Sequence, residues 1–363
     1  FVADPRRRHR AVKSVVVDKI ASVAQHSELG HELRLSPDIP CEEGVLVAVR
    51  VLNNKTRYNQ LELTSGRMAT VNQGDVVVGA LGHRKALRGY SGHLPTALEV
   101  GDTIQLLNIG GVLGVCDSAN PDVGPPFECE VLGTVLHFPY LGERIGVPAR
   151  AGASPFDPAA ALDTNGVPVV ALAGTCMDSG KTAAACAIVG RLRHRGFNIA
   201  ACKATGVSLR RDILAMEDAG ASAAMIFSDL GIVTTTADNG PALTRALLTA
   251  LAKGAPDVIV LELGDGLIGE YGVEAILSDS AIREALTAVI LCANDPVSAW
   301  GGARILRETF AIEPAVVTGP ATDNAVGVDQ INRRLDLPAI NALANGVALG
   351  DLVADLLDNP EAT

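Results

Sequence analysis

The chain has 363 residues, a formal net charge of −11, 48% hydrophobic residues and only 3% aromatics. Net acidity and scarce aromatics exclude a general polyanion binder and a base-stacking nucleic-acid surface. No apolar run approaches the roughly 18 residues needed to span a bilayer, and the length calls for more than one domain.

The opening stretch, Phe1 to Ser14, is basic but lacks the apolar core of a signal peptide. Residues 1–42 read as a mixed, polar N-terminal segment with one short helix predicted near 12–25. Over 43–138 the pattern changes to short β-branched runs separated by Gly, Asn and Asp. Examples are 45–49, 75–78, 103–107 and 130–135, with Gly74-Asp75 and Gly101-Asp102 as turn devices. Such frequent turns predict a small β-rich barrel or sandwich. Residues 139–166, with Pro139, Pro148, Pro155 and Pro158, read as a linker or as a strap lying over the next domain.

From 167 to 358 apolar strands alternate with helical stretches. Strands are predicted at 167–173, 197–203, 257–263, 288–293 and 315–318. Helices are predicted at 182–195, 213–227, 241–253, 273–286, 297–310 and 324–334. This rhythm predicts an α/β domain with a doubly wound parallel sheet. The seven cysteines, at 41, 116, 129, 176, 186, 202 and 292, are odd in number and have no C-x-x-C spacing. They fit neither a zinc site nor a disulfide framework, and point to a reducing, cytoplasmic compartment.

The strongest motif follows the strand at 167–173: Gly174-Thr175-Cys176-Met177-Asp178-Ser179-Gly180-Lys181-Thr182. Gly174 and Gly180 permit a backbone whose N–H groups turn inward around phosphate oxygens. The helix that follows directs its positive end at the same anion. Lys181 is expected to reach the β- and γ-phosphates and the Thr182 hydroxyl to join Mg²⁺. The nucleotide-binding set is therefore Gly174, Thr175, Asp178, Ser179, Gly180, Lys181 and Thr182. One departure stands out: five residues separate the glycines where four are usual, and Thr175 falls where the first glycine normally sits.

Gly-Thr-x-x-x-x-Gly-Lys-Thr after a strand resembles dethiobiotin synthetase and its relatives, the cobyrinate amidases and the molybdopterin-guanine dinucleotide accessory proteins. A looser resemblance links the loop, and the Ala204-Thr205-Gly206 after the second strand, to the D-glutamate N-acetyltransferase-like family. Both concern only the C-terminal half; dethiobiotin synthetase has no β-rich N-terminal domain. By this resemblance Lys203 contacts substrate and phosphate, while Asp212 and Glu262 hold Mg²⁺. Many relatives dimerise, so a homodimer is implied.

The residues themselves point the same way. Lys203 ends the second strand, where ligand crevices of open α/β sheets form, and a cation there neutralises a transferring phosphoryl group. The run Val258-Ile259-Val260-Leu261 delivers Glu262 as a metal acid. Asp265, three residues on, competes for that role or simply makes a turn before Gly266. Asn294 reads as a helix cap or a base contact, and Trp300 as core packing. Neither late strand carries the guanine-reading Asn-Lys-x-Asp, which favours ATP. In the β-rich region, Gly82 to Gly92 forms a basic, glycine-flanked loop. It is expected either to bring Arg84 or Arg88, with Thr205, to an anionic substrate or to be a solvated tip.

The expected function is an ATP- and Mg²⁺-dependent enzyme of kinase or ligase type acting on a small carboxylate or amine. Two alternatives remain open: a coenzyme A-dependent N-acyltransferase, and a nucleotide-driven switch or metallochaperone.

Overall fold

The computed structural model describes residues 12–139, 146–152 and 156–358. The basic stretch at 1–11 and part of the expected linker lie outside the described residues. The chain forms two compact units. The first comprises Phe1–Pro155 with Val207–Arg210 and Ser228–Thr234; the second comprises Phe156–Gly206, Arg211–Phe227 and Thr235–Thr363.

The first unit contains β1 (Lys13–Val16), β2 (Lys19–Ile20), β3 (Glu32–Ser36), β4 (Leu46–Val51), β5 (Gln60–Glu62), β6 (Met68–Thr70) and β7 (Val76–Leu81). It continues with β8 (Arg84–Lys85), β9 (Tyr90–His93), β10 (Thr103–Leu106), β11 (Val112–Ala119), β12 (Phe127–His137) and β13 (Val147–Pro148). The helix expected at 12–25 is replaced by β1, β2 and a 3₁₀ turn, Ser22–Ser27. The β-branched run Val15-Val16-Val17 explains the change, because β1 finds an antiparallel partner in β3. The 1–42 stretch thus supplies strands to the same sheet. Within the expected linker, β13 pairs with β12, whereas Phe156 already belongs to the second unit.

Pairing resolves the choice between barrel and sandwich. β12 pairs with β4, β4 with β7, β7 with β11, β11 with β10, and β10 returns to β12. The ring of five strands closes, so these strands have no free edge. Only the β7–β11 step is parallel. Leu46, Val47, Ala48 and Val49 of β4 are all fully buried, as are Val78 and Ala80 of β7. Val233, from the Ser228–Thr234 segment, joins this core.

The second unit carries a six-stranded sheet in the order β16-β15-β17-β14-β18-β19, with every pair parallel. Its strands are β14 (Val169–Gly174), β15 (Ile199–Lys203), β16 (Ala223–Ile226), β17 (Val258–Glu262), β18 (Leu286–Cys292) and β19 (Val316–Thr318). The helices are α1 (Lys181–His194), α2 (Arg211–Ala219), α3 (Gly240–Ala252), α4 (Val273–Ser278), α5 (Ser280–Ala285), α6 (Pro296–Phe310), α7 (Ala325–Leu335) and α8 (Gly346–Asp358). Alternate strand residues, Val170 and Leu172, Val258 and Val260, Ile290 and Cys292, share one core with Ile188, Val189 and Leu192 of α1, Met216 of α2 and Val353 of α8. Ala171, Ile259 and Leu291, which point to the other face, are equally buried. A sheet covered on both sides explains the near-continuous apolar strands.

Two expected helices are corrected. The stretch 213–227 ends its helix at Ala219, where Gly220 at φ +117° turns the chain, and then forms the edge strand β16 beside β15. The stretch 273–286 splits into α4 and α5, because Asp279 takes extended angles and caps α5 through Ile282 N–H.

A methyl group on Gly79 of β7 would lie 2.3 Å from the Gly111 carbonyl, at the parallel step that closes the ring. Gly79→Ala should therefore destabilise the barrel by about 1–3 kcal/mol. A urea titration followed in the far ultraviolet should show a lower midpoint, and an unchanged midpoint would contradict the closure.

Candidate functional site

Strand pairing brings the C-terminal ends of β14, β15 and β17 side by side, with Leu172 in register with Glu262 and Glu262 with Lys203. At the end of β14, the Gly174–Thr182 loop winds into α1. Gly180 has φ +88° and Asp178 φ +57°, the left-handed angles such a loop requires. The helix has no side-chain cap and no acidic residue in its first turn, which leaves its first N–H groups for an anion.

Lys181 is only 6% exposed. Its ammonium donates to the Cys176 carbonyl at 2.9 Å, the Asp265 carbonyl at 2.5 Å and Ser179 Oγ at 3.4 Å. A Cβ on Gly174 would sit 2.6 Å from Lys181 Nζ and 2.5 Å from Ser179 Oγ, so a side chain here would displace both groups. Thr175 donates its N–H to the Cys292 carbonyl at 2.9 Å and so continues the strand pairing with β18. The loop after β17 is fastened alongside, with Leu267 N–H donating to the Gly174 carbonyl at 2.8 Å.

Beside the lysine lies a cluster of charges. The Thr182 hydroxyl lies 3.1 and 3.3 Å from the two oxygens of Glu262. Lys203 donates to Asp212 and has its Nζ 3.7 Å from Glu262 Oε1. All three charged groups are nearly inaccessible, so Lys203 is not a solvated surface charge. Burial lowers the Lys181 pKa, with the Glu262 carboxylate opposing. For Lys203 burial acts in the same direction but is outweighed by Asp212 and Glu262, which hold the ammonium above its ordinary range. Burial also raises Glu262, against the pull of Lys203, while Asp212 is held low by Lys203 despite its own burial.

Among the residues expected at the site, the structure thus unites Gly174 through Thr182, Lys203, Asp212 and Glu262. Three others have different roles. The Thr205 hydroxyl is fully buried and donates to the Gly264 carbonyl at 2.9 Å, tying two strand ends together rather than facing a substrate. Arg84 is neither a substrate arm nor a solvated tip. It is 4% exposed, donates to Tyr58 Oη and the Leu107 carbonyl, and stacks on Tyr58 and Tyr90 within the first unit. Arg88 is exposed in that same unit. Asn294 does not cap α6; Asp295 does, in a capping box with Ser298. Trp300, expected in the core, is 50% exposed beneath Arg304.

Asp265 reads from the sequence either as a competitor of Glu262 for the metal or as a turn residue before Gly266. It adopts φ +72°, is 7% exposed, and neither carboxylate oxygen has a hydrogen-bond partner among the described residues. Burial raises its pKa to about 6, although Lys181 and Lys203 oppose the shift. Its only signal in the sequence was an acid between two glycines, three residues after Glu262.

No group of three or more His, Cys, Asp or Glu side chains that could hold a metal ion occurs among the described residues. The Thr182–Glu262 pair, with Asp212 close by, nevertheless fits Mg²⁺, which binds few protein ligands and relies on phosphate oxygens. No helix among the described residues is long and apolar enough to cross a membrane.

No model of a known protein family matches the chain, and no curated protein matches it by sequence. Solved structures similar to it include the signal recognition particle receptor FtsY of Elizabethkingia anophelis, with TM-score 0.38 and 14% identity over 51% of this chain and 64% of that one. A DUF1611 family protein of Anabaena variabilis gives TM-score 0.41 and 11% identity over 58% and 63%. The hydrogenase maturation factor HypB of Archaeoglobus fulgidus gives TM-score 0.37 and 16% identity over 53% and 91%. The chain spans less than two thirds of the FtsY and DUF1611 chains. By its own strand order and its Gly-Lys-Thr loop, the second unit is a P-loop NTPase fold within an α/β protein that also carries a β-rich unit.

A carboxylate raised from 3.8 to about 6 by folding carries a pH signature. Below about pH 4 Asp265 is protonated in both states, so its full contribution to stability is present. Between about pH 4 and 6 the unfolded chain ionises first, and stability falls by about 2–3 kcal/mol. Asp265→Asn should remove that fall and leave the nucleotide-free protein more stable than the parent at pH 7. Identical pH profiles of denaturation midpoint for the two proteins would contradict this assignment.

Proposed function

We propose that the second unit binds a nucleoside triphosphate, ATP rather than GTP, with Mg²⁺, and transfers its terminal phosphoryl group to a small carboxylate or amine. The observation that carries this reading is the convergence of Lys181, Thr182, Lys203 and Glu262 at the end of three adjacent parallel strands. Phosphoryl transfer asks mainly for positioning and charge neutralisation, and two buried lysines beside a phosphate loop supply both.

In this reading phosphate oxygens replace the carbonyls of Cys176 and Asp265 as acceptors for the Lys181 ammonium. The α1 N–H groups hold the same phosphates. Thr182 and Glu262, with Asp212, would hold Mg²⁺, which supplies Lewis-acid charge neutralisation when bound. Lys203, kept cationic by its two carboxylates, faces the transferring group and the substrate. The absence of Asn-Lys-x-Asp after β18, where the chain reads Asn294-Asp295-Pro296, supports adenine over guanine.

Lys181→Ala should weaken ATP binding by about 100-fold or more while the fold persists. Calorimetry with ATP, GTP and coenzyme A in parallel checks both the loop and the choice of nucleotide. Unchanged ATP affinity in the folded variant removes the reading; coenzyme A binding without ATP binding replaces it with acyl transfer. Glu262→Gln should lower Mg²⁺-dependent turnover by about 10–100-fold and affect metal-free nucleotide binding far less. Equal losses in the two assays would exclude its metal role.

A further inference from the structure

The geometry points to Asp265 as the group that takes the proton from the nucleophile attacking the terminal phosphate, an inference that rests on the phosphoryl-transfer reading above. Three observations on its placement carry it. First, its main-chain carbonyl accepts from Lys181 Nζ at 2.5 Å, which places the residue beside the ammonium that would turn to the phosphates. The next residue, Gly266, lies against the phosphate loop so closely that a Cβ there would be 2.9 Å from the Thr175 carbonyl and 3.0 Å from Cys176 Cα.

Second, Asp265 is 7% exposed and both carboxylate oxygens are buried without a hydrogen-bond partner among the described residues. The neighbouring cations are engaged elsewhere: Lys181 on Cys176, Ser179 and the Asp265 main chain, Lys203 on Asp212 and Glu262. A buried carboxylate without partners is costly, and a ligand that donates a hydrogen bond offsets that cost. An acceptor-only group selects a hydroxyl, an amine or water.

Third, the backbone is shaped to keep this side chain. Asp265 sits at φ +72°, an angle that glycine adopts without strain and that aspartate tolerates. A Cβ on Gly269 would fall 2.5 Å from Asp265 Oδ2, so glycine at 269 leaves the carboxylate its space. Burial, countered by Lys181 and Lys203 and reinforced by Glu270, sets the pKa near 6, in the range useful to a base at neutral pH.

The step balances. The nucleophile's proton passes to the Asp265 carboxylate as its lone pair forms the bond to the terminal phosphorus. The bond from that phosphorus to the bridging oxygen breaks, and its electron pair leaves with the nucleoside diphosphate. The protonated carboxyl then releases its proton to solvent.

The test uses the full chain with Mg²⁺ and either ATP or GTP, water serving as the acceptor, under single-turnover conditions with protein in excess. Asp265→Asn and Asp265→Gly both tolerate the left-handed backbone. Each should bind nucleotide within about 3-fold of the parent yet hydrolyse it about 10²–10⁴-fold more slowly. Parental hydrolysis by D265N, or equal losses of affinity and rate in both variants, overturns the assignment. So does a parent that binds nucleotide but hydrolyses none, since a base beside the terminal phosphate would use water. If nucleotide binding does not depend on Lys181, the phosphate-loop reading itself fails. If it does depend on Lys181 and D265N retains the parental rate, only the base assignment fails.

Discussion

An ammonium group buried under a loop of main-chain carbonyls is the constraint around which the second unit is built. Lys181 cannot be solvated where it lies, so each of its three N–H donors needs an acceptor, and the structure gives it Cys176, Asp265 and Ser179. Each acceptor requires something further. Cys176 and Ser179 must curl back over the end of β14, which Gly180 and Asp178 permit through left-handed angles. Asp265 must reach across from the end of β17, which demands that β17 lie directly beside β14. Gly174 leaves room that a side chain would take from the lysine. The loop, the strand order and the turn after β17 are thus consequences of housing one charge.

The neighbouring charges obey the same logic. Lys203, Asp212 and Glu262 are each buried to a degree that no one of them could sustain alone. Burial pushes Lys203 toward neutrality, and two carboxylates restore its charge; Glu262 in turn is held by Lys203 and by the Thr182 hydroxyl. A set of mutually dependent ions at a strand-end crevice is the condition in which a multiply charged ligand can exchange for internal partners at little net cost. Asp265 alone stands outside the exchange, with cations near it but none bonded to it.

Much of this was legible from residue order. Apolar runs ending in Gly174, Lys203 and Glu262 announce buried strands that deliver chemistry at one end, because parallel strands in a covered sheet leave only their C-terminal ends to the crevice. What residue order does not encode is which partner a local pattern will find. The Ala-rich stretch 221–227 has helical propensity, yet after Gly220 the open edge of β15 gave it a strand partner. Val15-Val16 became a strand for the same reason. Arg84 reads as a loop cation until Tyr58 and Tyr90, 26 residues and 6 residues away in sequence, are known to close over it. Barrel closure is likewise a property of long-range pairing, since the β7–β11 and β10–β12 contacts join strands far apart in sequence.

The irregular spacing of the phosphate loop has a structural explanation that also bears on Asp265. With five residues between its glycines, the loop has one more position than the usual pattern, and Thr175 stands where the first glycine normally sits. Thr175 retains a strand hydrogen bond to Cys292, so the extra residue extends β14 instead of enlarging the turn. The effective turn therefore starts at Cys176, whose carbonyl is the first to reach Lys181. Extending β14 by one position brings its end level with Asp265 and Gly266, and Gly266 fits against Thr175 only because it has no side chain. The residue that breaks the familiar spacing and the glycine that follows Asp265 are thus neighbours. The turn after β17 meets the end of β14 through Gly266 and through Leu267 N–H, which donates to the Gly174 carbonyl, and the same turn encloses the Asp265 carboxylate against Gly269.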